Sequence, residues 1–293
     1  CKTIYPNYFF FQFLCILINV TLLMMFFRRY VSNIPLAFMI MLVMSGFEIN
    51  INLVRNSISI LLFVNAIVFI EKKQFLPFLL VCLLGFTFHS SSLAYIPMYF
   101  IINRKFNKYI MMAIFAVANV IYLFHIPILK SLILLVVDYI MPSTKLWVEA
   151  YLSMDLSTGS VLSIGYLERL LTGILLFCYI DKLREVRNGN NIFVNSMLFY
   201  LCTFLFLSEF RTISLRCSYL FIYAYWIVWI DLIKCFTYRN NKILYLSFVA
   251  LYSLLKVYFL NTTAMSEYYN ITIENKPYNE RLIHFRQHFN DVK

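Results

Sequence analysis

The stretch NLVRNSISILLFVNAIVFI, residues 52–70, decides the fold. It is apolar over enough length to cross a hydrocarbon core of roughly 30 Å, yet it keeps Arg55 close to its start. Asn52, Arg55, Asn56 and Ser59 recur at i, i+3, i+4 and i+7, which places all four on one face of a helix. Ionisable groups in hydrocarbon are costly, so this face is expected to look into a bundle or a cavity rather than at lipid. The competing account is an arginine near a helix end that reaches up to the outer headgroups. The polar stripe beside Arg55 favours the first.

The rest of the chain has the same character. Of its 293 residues 62% are hydrophobic and only 13% charged, with a mean hydropathy of +0.76, which excludes an ordinary water-soluble domain. Continuous apolar runs, rather than dyad alternation, argue for helices and against a barrel. The expectation is an all-α polytopic integral membrane protein with about ten transmembrane helices. They span roughly 8–27, 34–50, 53–70, 75–88, 90–103, 109–127, 161–180, 192–210, 216–234 and 243–260. A larger outer-face loop, about 128–160, carries one interfacial helix, so residues 1–260 form a single transmembrane domain. Residues 261–293 read as a polar extracytoplasmic C-terminal tail.

Orientation follows from the loops, because cytoplasmic loops are enriched in Lys and Arg. Alternate loops carry Arg28 and Arg29; Lys72 and Lys73; Arg104, Lys105 and Lys108; Lys182, Arg184 and Arg187; Lys234, Arg239 and Lys242. The formal charge of +11 is therefore an inside bias, and a nucleic-acid partner is not expected. The seven cysteines show no CxxC spacing and read as small apolar side chains. His284 and His288 are spaced i, i+4 but lack the Glu of a zinc helix, and six glycines form no phosphate-cradling loop. Neither metal nor nucleotide is expected. The chain opens on Cys1 rather than Met, and a missing start is expected.

Charges inside the apolar runs collect toward the outer side. Arg55 lies there, as does His89 in TFHSSSL, where the fourth run meets the fifth. Glu48 ends the second run at the same level. Glu209, Arg211 and Arg216 bracket the turn between the eighth and ninth, and Glu168 and Arg169 lie in the outer half of the seventh. Being consecutive, Glu168 and Arg169 point about 100° apart and each needs its own partner. Arg216, Tyr219 and Tyr223 form an i, i+3, i+7 face with one cation and two phenols, suited to a phosphate that bears a sugar.

At these residues the chain resembles the EpsG family of Wzy-like polysaccharide polymerases. The resemblance rests on LVRNSISILLFVNAIVFIEKKQFLPFLLVCLLGFTFHSSSLAYIPMYFI, with its early Arg, basic turn, apolar span and His-x-Ser. RCSYLFIYAYWIVWIDLI and IGYLERLL carry it further, over roughly residues 8–235. Asn56 stands where the family often has Gln, and Ser92 where Ala is usual. Relatives are longer at the N-terminus, where an outer loop holds acidic residues, so a catalytic carboxylate is expected to be absent here.

The resemblance implies joining of undecaprenyl-pyrophosphate-linked oligosaccharide repeats into exopolysaccharide, capsule or O-antigen on the outer face of the bacterial cytoplasmic membrane. Other polysaccharide export proteins are expected partners, and no cofactor is implied. On this reading Arg55, Arg216 and Arg211, with Asn52, Asn56, Arg169 and Tyr219, bind pyrophosphate and sugar. His89, Glu48 or Glu168 is the general base, with His89 the more positional of the three. A flippase for the same lipid would share a cationic cavity, but alternating access favours broken helices at the midplane. A single-sugar glycosyltransferase or a membrane acyltransferase is the third reading; the latter would want a His–Asp pair, for which Asp138 is the only outer candidate.

Overall fold

The computed structural model describes residues 8–46, 49–50, 53–140, 145–154 and 162–261, with 279–280, 282–283 and 286–287 of the tail. The described chain is all-helical, without strands. Two compact units are present, Cys1–Thr237 and Tyr238–Lys293.

The first unit opens with α1 (Tyr8–Tyr30) and α2 (Ile34–Met41), the latter continued by a π-helical turn over Leu42–Gly46. α3 (Val54–Glu71) and α4 (Phe75–Phe88) form an antiparallel pair, followed by a 3₁₀ turn (Ser90–Tyr95) and the short α5 (Met98–Ile101). α6 (Lys108–Leu123), α7 (Ile128–Ile140) and α8 (Lys145–Met154) lead to α9 (Ile164–Cys178), α10 (Ile180–Glu185) and α11 (Asn191–Phe206). α12 (Arg211–Ser218), a 3₁₀ turn (Tyr219–Phe221) and α13 (Tyr223–Cys235) close the unit. The second unit contains α14 (Arg239–Asn261), where the Phe248 and Tyr252 rings stack 5.9 Å apart. His284 and His288 lie outside the described residues.

Polar residues between apolar runs start the helices by capping otherwise unpaired N–H groups. Asn33 Oδ1 accepts from Leu36 N–H at 3.1 Å, Asn107 Oδ1 from Tyr109 N–H at 2.9 Å, and Ser163 Oγ from Tyr166 N–H at 3.2 Å.

The expected ten spans are not realised as ten full-length helices. Among the described residues Phe10–Tyr30 and Val54–Glu71 are long and apolar enough to cross a membrane, and the number rises to four if two bent pairs each count as one span. Backbone breaks account for the difference. The 34–50 run is interrupted at Met44 and Ser45, the latter with a left-handed φ of 56°. The 90–103 run divides into a 3₁₀ turn and a four-residue helix separated by Pro97. The 109–127 run ends at Leu123, where His125 at φ 49° and Pro127 turn the chain by 86° into α7. That angle carries α7 away from the axis of α6.

Lipid tails are as apolar as leucine, so helix association relies on close packing and polar contacts. α3 is the more central of the two long helices, with 61% of its apolar window buried against 28% for α1. Asn19 on α1 donates to Ser57 Oγ and to Asn50 Oδ1, each at 2.7 Å. Asn65 donates to Leu22 O at 2.9 Å.

Basic loop residues are also tied into this unit. Arg187 pairs with the fully buried Asp231, and Lys234 stands 3.8 Å from the same carboxylate. Arg184 donates to Phe106 O at 2.7 Å, and Lys182 to Cys235 O at 3.3 Å, where a cation meets the carbonyl end of α13. Beside them Gly189, at φ 78°, lets the loop approach Glu71; a Cβ there would stand 3.2 Å from Glu71 Oε1.

Candidate functional site

A cavity of about 540 Å³ opens where the start of α3, the end of α4 and α12 meet. Its lining joins Arg55, Asn56, His89, Ser91 and Arg216 to an apolar set, Phe11, Leu53, Val54, Cys217 and Leu220. Arg55 and Arg216 are exposed, so their guanidiniums reach open space. Among the described residues the lining contains no carboxylate.

The local sequence explains each placement. α3 begins at Val54 after Leu53, which has no side chain able to cap, and no side-chain cap bond is made. Val54 and Arg55, the first residues of α3, line the cavity. On the helical face carrying Arg55, Asn56 and Ser59 are buried.

His89 ends α4 and caps the 3₁₀ turn, its Nδ1 accepting from Ser91 N–H at 3.2 Å. Ser91 Oγ lies within hydrogen-bonding distance of both Nδ1, at 2.7 Å, and the Asn56 amide, at 2.8 Å. The turn packs closely on α4 because Gly85 has no Cβ; one added there would stand 2.5 Å from Ser92 Oγ. Ser92 Oγ in turn donates to Cys82 O at 2.7 Å. Burial first, then the positive charges of Arg55 and Arg216, push the His89 pKa below the ordinary histidine value. With Nδ1 accepting from Ser91 N–H, the geometry suits the neutral ring.

The same turn links the two arginine-bearing elements. Tyr95 is fully buried, stacks on Phe63 of α3 at 3.7 Å, and donates its hydroxyl to Leu220 O at 2.7 Å. Replacing Tyr95 by Phe keeps the stacking and leaves the buried Leu220 carbonyl without its donor. The expected cost is about 1–3 kcal/mol, read as a lower midpoint of thermal unfolding in detergent.

The other candidates from the sequence lie elsewhere. Glu48 and Asn52 fall outside the described residues. Glu168 is buried on α9 and accepts from Thr172 Oγ1 at 2.9 Å, while Arg169 donates to Tyr200 Oη at 3.0 Å and to Gly165 O at 2.8 Å. The Arg169 guanidinium also lies 3.8 Å from the Phe204 ring centroid, a cation–π contact. Neither residue lines the cavity. Arg211, the exposed first residue of α12, is also outside the lining.

Neither Tyr219 nor Tyr223 lines the cavity with Arg216. A 57° bend between Phe221 and Tyr223 separates Tyr223 from the Arg216 face. Tyr219 Oη donates instead toward Ser45 Oγ at 3.4 Å, and Tyr223 Oη lies 2.7 Å from Ser196 Oγ. Glu209 caps α7, its Oε2 accepting from Lys130 N–H at 3.1 Å.

Sequence reading missed the apolar wall, Phe11, Leu53, Val54, Cys217 and Leu220, since nothing distinguishes these from other apolar residues in spans. Ser91 was legible as the serine of His-x-Ser. No group of three His, Cys, Asp or Glu among the described residues could hold a metal ion.

Together the lining offers two permanent cations and an imidazole beside an apolar wall, which suits a phosphate joined to a lipid. Neither the curated proteins nor the solved structures include a match to this chain. A family model does match, over residues 1–279, and the chain belongs to the EpsG family.

Proposed function

We propose that this protein is a multi-pass enzyme of the bacterial cytoplasmic membrane that joins undecaprenyl-pyrophosphate-linked oligosaccharide repeats on the outer face. The observation that carries the reading is the convergence of Arg55, Arg216 and His89 on one cavity beside an apolar wall. Membership of the EpsG family supports the same reaction class.

In the proposed reaction an acceptor sugar hydroxyl attacks the anomeric carbon of the donor. The bond from that carbon to pyrophosphate breaks, and negative charge grows on the departing oxygens. Arg55 and Arg216 meet that charge with planar, permanently protonated forks, stronger in the transition state than in the ground state. The apolar wall from Phe11 to Leu220 accommodates the first part of the polyprenyl chain. Glu168, held by Thr172 away from the cavity, is a poor general base; Glu48, near the end of the interrupted second run, is the carboxylate we assign to the hydroxyl proton. Energy comes from the sugar–pyrophosphate bond, so no cofactor is needed.

A flippase reading is separated by the side on which substrate accumulates. In cells lacking the protein, lipid-linked single repeats should be reachable by a membrane-impermeant glycosidase or lectin added outside. Repeats accessible only from the cytoplasm would favour the flippase.

A further inference from the structure

We infer that Ser91 is a positioning residue that holds His89 as a hydrogen-bond donor, with the proton on Nε2, so that the imidazole grips a phosphate oxygen and does not act as the base. The inference rests on the proposed reading of the cavity as a pyrophosphate site, but its structural half can be tested without any substrate.

Three contacts decide the proton positions. Ser91 N–H points at His89 Nδ1 from 3.2 Å, and a proton on Nδ1 would set one N–H against another. Nδ1 is therefore the bare nitrogen. Ser91 Oγ stands 2.7 Å from that same atom, too close for two lone pairs to face each other, so its single proton belongs between them.

The contact of 2.8 Å sets Ser91 Oγ against Asn56 Oδ1; with the Ser91 proton committed to Nδ1, the Asn56 amide must turn over and donate its N–H to Oγ instead. The nitrogen and oxygen of an Asn amide exchange places by a flip of the side chain, which makes this assignment open to Asn56. Donation then runs in one direction, from Asn56 to Ser91 to His89, and ends at Nε2–H. That atom is the ring's free edge at a cavity shared with Arg55 and Arg216. A neutral imidazole whose only bare nitrogen is already engaged by two donors has no lone pair to offer an acceptor hydroxyl. What it can offer is a third donor to the departing phosphate, beside two arginines.

The test has two arms on the full chain in lipid nanodiscs. In the first, His125, His284 and His288 are replaced by Gln and His89 is observed by nitrogen NMR of ¹⁵N-histidine. We expect a protonated Nε2 and a bare, hydrogen-bonded Nδ1, changing to a mixture of tautomers in Ser91→Ala. A proton on Nδ1 in the parent, or a tautomer state untouched by Ser91→Ala, overturns the assignment.

In the second arm, polymer formation from lipid-linked repeat is compared for His89→Gln, His89→Asn and His89→Ala. A Gln amide N–H reaches the place of Nε2–H without any basicity, whereas Asn occupies the Nδ1 side. Gln should stay within ~10-fold of the parent and the other two should fall ~100-fold. Equal loss in all three would make His89 a base and sink the donor role. If instead the tautomer is as expected and none of the three changes polymer formation, the pyrophosphate reading of the cavity is what fails.

Discussion

Arg55→Lys is expected to slow polymer formation ~100-fold or more while expression and membrane insertion survive. A guanidinium grips two phosphate oxygens in parallel, and an ammonium meets them as a single point charge. Losing one charge-assisted bond to a departing oxygen costs on the order of 2–4 kcal/mol of transition-state stabilisation, by analogy with removal of an oxyanion donor. Lysine separates the two accounts of Arg55 because it reaches headgroups as well as arginine does. An anchor tolerates the change; a clamp does not. Arg55→Ala should be at least as damaging. The measurement is polymer length and yield from purified lipid-linked repeat at matched protein levels, and near-normal activity of the lysine variant would restore the anchor.

Asp231→Ala should destabilise the protein by about 3–5 kcal/mol, the cost of breaking a buried ion pair and leaving one charge behind. Asp231 is wholly buried and Arg187 is 17% exposed, so water cannot replace the lost carboxylate. Lys234, 3.8 Å from the same oxygen, would then face Arg187 without the anion between them. Replacing both members, as Arg187→Met with Asp231→Leu, should recover most of the loss, since an apolar pair of similar volume removes the charges together. Unfolding of purified protein in detergent, followed by circular dichroism against temperature, measures both. A double variant no more stable than Asp231→Ala would show that the pair does more than neutralise itself.

The amino-acid sequence by itself determined that the chain is helical and apolar, because run length and the rarity of charge within runs follow directly from the demands of hydrocarbon. The Arg55–His89 block was readable for the same reason: an arginine and a histidine stand out in such surroundings, and their spacing along α3 and α4 is local. Helix ends were not readable. Ser45, His125 and the 3₁₀ turn after Ser218 break runs that hydropathy carries straight through, because a backbone leaves the helix where packing and a vacated hydrogen bond make it favourable, as Trp226 Nε1 does in reaching Met44 O at 3.4 Å.

Partnership across the bundle was equally out of reach. Glu168 and Arg169 look like site residues in one dimension, yet Thr172 and Tyr200 claim them; Tyr219 follows Arg216 by three residues, yet its phenol turns to Ser45. The physical link between Arg55 and Arg216 at one cavity came from the tertiary structure: a turn whose Tyr95 stacks on one element and hydrogen-bonds the other. A helical face is a local property of spacing, whereas the direction a charge takes is settled by whichever neighbour in space can satisfy it.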